Sequence, residues 1–142
     1  MDIAIATTLP DTGFAEAVAR TREALAQQGF GVLTEIDVTA TMKNKLDEDI
    51  ENYLILGACN PPLAHRALGA DRQIGLLLPC NVVVRDDTTN PGSVIVEAMN
   101  PDLMVQLRDA PGLPEVAADA ATKLRAAIAT LDAGVPVAEG SA

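Results

Sequence analysis

At 142 residues the chain is near the commonest size for one domain, and its net charge of −10 has the wrong sign for a phosphate-rich partner. Its three lysines and seven arginines are scattered, which argues against nucleic acid and against an anionic membrane surface. The chain is 49% hydrophobic, yet Phe14, Phe30 and Tyr53 are its only aromatics, so the core has to be built from Val, Ile, Leu and Ala and base-stacking platforms are scarce.

The opening Met1-Asp2-Ile3 leads straight into a strand-like run, without the basic and long apolar regions of a secretory signal. No apolar run approaches the 18 or more residues of a membrane span. Two cysteines, Cys59 and Cys80, are too few for a disulfide scaffold and are expected to be reduced thiols. These features together lead to the expectation of a bacterial-type cytoplasmic protein whose acidity serves solubility.

Along the chain, Ile3 to Thr8 reads as a short strand. Pro10-Asp11-Thr12-Gly13 is a turn in which Asp11 or Thr12 can cap the following helix. Phe14, Val18, Thr21 and Leu25, with Ala17 and Ala24 beside them, form one helical face that stops at Gly29. Gly31 to Val38 alternates, with Val32, Ile36 and Val38 to one side and Glu35 and Asp37 to the other, as in a strand with one face in solvent. Thr39 to Asp49 resembles a short polar helix with Met42 and Leu46 on its inner side.

Tyr53 to Cys59 is continuously apolar and reads as a strand buried on both faces. Asn60-Pro61 opens a helix cleanly, Asn as cap and Pro where no hydrogen bond is lost, and that helix ends at Gly69. Leu76 to Val84 reads as a further strand in which Pro79, lacking an N–H, marks an edge or a bulge. Asp86 to Gly92 is a hairpin loop and Ser93 to Met99 the return strand. Asn100-Pro101 repeats the cap-then-proline start for a short helix near Leu103–Leu107. Leu113, Val116, Ala120, Leu124, Ile128 and Leu131 then line a last amphipathic helix.

This order predicts a two-layer α/β (α+β) fold, about five strands in one mostly antiparallel or mixed sheet with helices on one face. Residues 3–131 form one domain and residues 132–142 a flexible tail. Leu56 and Val83 are expected in the core of neighbouring strands.

Four segments carry a family resemblance: Gly29-Phe30-Gly31-Val32-Leu33, Ile55-Leu56-Gly57-Ala58-Cys59-Asn60-Pro61, Leu78-Pro79-Cys80-Asn81-Val82 and Asn100-Pro101. In order and spacing, over roughly residues 3 to 131, the chain resembles the domain of unknown function 302 family. The resemblance implies a compact α/β domain that forms dimers, and implies no reaction. One departure is Leu46-Asp47, where the family often has Gly after the leucine.

The residues with intrinsic reactivity are Cys59, Cys80 and His65. Cys59 precedes a helix start, whose partial positive charge favours a thiolate. Cys59 with Cys80 is a candidate thiol pair, or a soft-metal site for an ion such as Zn with His65 as third ligand. Equally, both cysteines can be small core residues and His65 a packing or solvated side chain. Asn60 and Asn81 join the cysteines as candidate ligand-binding residues, Asn60 doubling as a cap and Asn81 sitting polar within an apolar run. Glu35 and Glu97 sit mid-strand, where a solvated sheet face is the default over paired acid/base work. Gly57 and Gly69 fit no nucleotide fingerprint.

The leading reading is therefore a homodimeric module binding a small ligand or metal around Cys59-Asn60 and Cys80-Asn81. The alternatives are a thiol-dependent enzyme using Cys59 or Cys80 with His65 as base, and a purely structural interaction domain. A dimer also follows from the need to hide sheet edges that few lysines guard.

Overall fold

Five strands form one sheet in the spatial order β1-β5-β4-β3-β2, with every neighbouring pair antiparallel. The computed structural model describes residues 2–132. In chain order the elements are β1 (Ala4–Leu9), α1 (Phe14–Gln27), β2 (Gly31–Asp37), α2 (Val38–Leu46), β3 (Tyr53–Cys59), α3 (Pro61–Ala70), a 3-10 helix (Arg72–Leu77), β4 (Cys80–Asp86), β5 (Val94–Met99), α4 (Asp102–Leu107) and α5 (Leu113–Asp132). The expected tail beyond Asp132 lies outside the described residues. Among these, no helix is long and apolar enough to cross a membrane.

Helices α1 and α5 pack against each other and on one face of the sheet. Leu54, Leu56 and Ala58 of β3, Val82 and Val84 of β4, and Val94, Val96 and Ala98 of β5 point into them, meeting Ala17, Ala24, Leu25, Leu124, Ala127 and Ile128. The 3.6-residue period read from the sequence holds throughout α5: Leu113, Val116, Ala120, Leu124, Ile128 and Leu131 are all buried. A second cluster gathers at one end of the sheet, where Leu63 and Ala67 of α3, Ile74 and Met104 meet the first half of α5.

Several expectations are revised. Proline 79 belongs to no strand; β4 starts at Cys80 and lies between β3 and β5, so it is interior and not an edge. A residue without an N–H cannot join the ladder, and the apolar run is therefore split between the 3-10 helix and β4. In β2 the register shifts between Val32 and Thr34, leaving Leu33 bulged. That extra residue reverses the alternation, so Val32 packs on the core while Ile36 faces the other way at 50% exposure. Val38 belongs to α2.

α2 has no buried residue, and Leu46, expected inside, is exposed. The helix is held by hydrogen bonds instead: Asp37 Oδ1 accepts from Ala40 N at 2.9 Å, Thr39 Oγ1 donates to Glu51 O at 2.7 Å, and Tyr53 N donates to Thr39 Oγ1 at 2.8 Å. At the start of α1 the cap position is Gly13, with no side-chain cap, and Thr12 Oγ1 donates to Pro10 O instead.

The largest revision concerns the sheet's second face. β3 reads as buried on both sides, but the helices cover only one. Ile55 and Val83 sit opposite each other on the uncovered face and are half-buried. Leu56 is fully buried as expected; Val83 is not a core residue.

Candidate functional site

β3 ends at Cys59, and Asn60 turns the chain into α3. The Asn60 side chain accepts from Leu63 N at 3.3 Å, and its amide donates to Gln28 O at 3.3 Å. One buried asparagine thus caps α3 and ties its start to the end of α1. Pro61 and Pro62, at the first helical positions, give up no bond there. Asn100 behaves alike, its Oδ1 accepting from Asp102 N at 3.1 Å and its amide donating to Asp2 O at 3.1 Å.

Beside Asn60 a narrow cleft opens between the sheet end and the second hydrophobic cluster. Cys59, Asn60 and Cys80 line it, together with Phe30, Leu63, Leu78, Pro79 and Met104, and its walls are almost wholly apolar. Its free volume is about 30 Å³, room for an occupant of water size unless side chains shift. Only the Phe30 and Pro79 segments hint at these walls in the sequence. Leu63, Leu78 and Met104 come from separate elements, and no local pattern joins them.

Both cysteines line the cleft, from successive positions of the ladder. Cys80 pairs with Ala58 across the ladder and shares its helix-covered side, whereas Cys59 follows Ala58 along β3 and alternates to the other side. Cys80 is 6% exposed and Cys59 half-buried. Burial, with a contribution from neighbouring Cys59, pushes the Cys80 thiol up to about 11, so it stays protonated near neutral pH.

His65 is exposed on α3 and does not line the cleft. Among the described residues, no three His, Cys, Asp or Glu side chains are grouped to hold a metal ion. The set Cys59, His65 and Cys80 is therefore not assembled: both cysteines line the cleft, but His65 is exposed on α3 outside it. Asn81 is also elsewhere. It pairs with Gly57, is exposed, and so needs no buried partner.

Glu35 and Glu97 are no acid/base pair. Glu35 contacts Arg22 of α1, on the helix side of the sheet. Glu97 lies on the uncovered face, accepting from Arg85 Nε at 2.8 Å and Nη2 at 3.4 Å. That bidentate ion pair was not anticipated, although each partner interrupts an apolar run. A larger hollow of about 290 Å³ lies beside α2, but the ammonium of Lys43 in its wall is already held by Asp47 at 2.9 Å and Asp49 at 3.4 Å.

One antiparallel sheet with helices layered on one face defines a two-layer α/β domain. Residues 5–131 match the family model described as domain of unknown function DUF302, and the chain belongs to that family. It is similar to the crystal structure of an uncharacterized conserved DUF302 protein from Bacillus stearothermophilus. The identity is 31% and the TM-score 0.81, over 91% of this chain and 98% of that one. No curated protein matches the chain.

Proposed function

We propose that the protein is a binding module for a small, mainly apolar molecule held in the cleft at Cys59, Asn60 and Cys80. The observation that carries this reading is the cleft itself. It reaches the surface, has almost no polar lining, and includes a doubly hydrogen-bonded asparagine that ties the start of α3, one of its walls, to the end of α1. Binding is favoured over thiol catalysis because the Cys80 thiol is held protonated and His65 stands outside the cleft. A soft metal such as zinc would need donors beyond two thiols, and among the described residues no third His, Cys, Asp or Glu is grouped with them.

The test is a titration of the ¹⁵N-labelled protein with 1-propanethiol and 1-propanol, followed by amide chemical shifts. Saturable changes at Phe30, Cys59, Leu63, Leu78 and Met104 support the reading, and Leu63→Phe, which fills the space, should abolish them. No saturable change with either probe overturns it.

A further inference from the structure

We infer that the cleft selects an uncharged molecule with a hydrogen-bond acceptor, and that the side-chain amide nitrogen of Asn60 is the group that recognises it. The inference rests on the cleft being a binding site and adds the polar half of its ligand. Asn60, Cys59 and Cys80 are the only lining side chains with a polar hydrogen, and no Asp, Glu, Lys, Arg or His stands among them. A charged ligand entering so apolar a space would lose its hydration without gaining a counter-ion. The ligand is therefore neutral.

The start of α3 offers no alternative. A helix N-terminus ordinarily presents free N–H groups to an anion. Here Pro61 and Pro62 have none, Leu63 N donates to Asn60 Oδ1 at 3.3 Å, and Ala64 N donates to Asn60 O at 2.9 Å. Every donor of the first turn is absent or already paired, so a phosphate or carboxylate finds no partner there.

What is left is the Asn60 amide. Its nitrogen carries two hydrogens. One is donated to Gln28 O at 3.3 Å, and among the described residues the other has no partner. Asn60 is only 8% exposed, so bulk water does little to satisfy that hydrogen. A buried donor without an acceptor is costly, and an acceptor brought by the ligand removes the cost. Gly29 keeps one flank of the nitrogen clear, since a Cβ at that position would stand 3.0 Å from Nδ2. The buried Cys80 thiol, protonated near neutral pH, is a second and weaker donor in the same walls. Donors set in an apolar wall match a carbonyl, ether or nitrile, and discriminate against a hydrocarbon of the same shape.

The experiment titrates the ¹⁵N-labelled full chain with acetonitrile and with propyne, linear molecules of similar size that differ in the acceptor. Probes this small bind at about the millimolar level or more weakly, so the titration extends well beyond that. Wild type should bind acetonitrile, read at the amides of Phe30, Leu63 and Leu78. One Asn60 side-chain amide proton should move downfield with acetonitrile and stay in place with propyne. Asn60→Ser and Asn60→Asp each keep a helix cap and remove the nitrogen. In either, the acetonitrile dissociation constant should rise roughly tenfold while that of propyne changes by less than about twofold. Should neither variant fold, the Asn60 proton decides alone. Binding of propyne alone, an Asn60 proton unmoved by bound acetonitrile, or an acetonitrile affinity unchanged in a folded variant overturns the inference and leaves the cleft reading standing. Binding of neither probe overturns both.

Discussion

The hydroxyl of Thr34 occupies the space that a side chain on Gly57 would need. A Cβ built on Gly57 would overlap Thr34 Oγ1 and fall 2.8 Å from the Pro79 ring carbon Cγ. The glycine is therefore explained by close packing across β2 and β3, with no need for a phosphate loop. Thr34 can rotate, but the proline ring cannot. Gly57→Ala should cost about 1–3 kcal/mol, the usual range for overpacking. Urea denaturation checks this, and adding Thr34→Ala should recover part of the loss, giving a non-additive pair. Additive effects would mean the two do not compete for one space.

Asn60 joins two helices, and its variants separate its two bonds. Asn60→Ala should cost about 1–2 kcal/mol through loss of the cap and of the tie to Gln28. Asn60→Asp keeps the acceptor and loses the donor, so its stability should fall between wild type and Asn60→Ala. Denaturant midpoints at constant slope provide the ranking.

Asp47 adopts left-handed backbone, with φ 55°, at the end of α2. Its contact with Lys43 lies at the surface and contributes little. Asp47→Gly removes the Cβ penalty and should stabilise the protein by up to about 1 kcal/mol. A lower denaturation midpoint for Asp47→Gly would show that the Lys43 contact outweighs the backbone gain.

The Cys80 thiol is raised from 9.0 to about 11 by burial in the folded chain. The unfolded chain loses this proton first as pH rises, so the contribution is fully present below pH 9 and is lost as pH climbs through 11. At about 1.4 kcal/mol per unit, the loss is on the order of 2–3 kcal/mol. Stability measured at pH 8 and pH 11 should fall more in wild type than in Cys80→Ala, whatever the variant costs at pH 8. Equal slopes would contradict the shift.

The layering was legible because its signals are local and periodic: the α5 stripe, the cap of Asn60 before Pro61, and the Asp86–Gly92 turn before β5. What local patterns do not encode was lost. The Leu33 bulge reverses the faces of β2 by inserting one residue, which no alternation reveals. Pro79 reads as an edge position or a bulge within a strand, whereas it precedes an interior one. Cys59 sits at a strand end as its sequence context indicates, whereas Cys80 opens β4 instead of lying within a longer run, because Pro79 cannot join the ladder. Apolar content in β3 reads as burial on both faces, although the helices cover only one.

The most direct test of the account is whether the cleft at Cys59, Asn60 and Cys80 admits a small apolar occupant, which methyl shifts of the ¹³C-labelled protein under xenon pressure report. The account predicts saturable shifts at the methyls of Leu63, Leu78 and Met104, which line the cleft, and none at those of Ile55 and Val83 on the uncovered face of the sheet. Uniform small shifts, or none at the cleft, would contradict it.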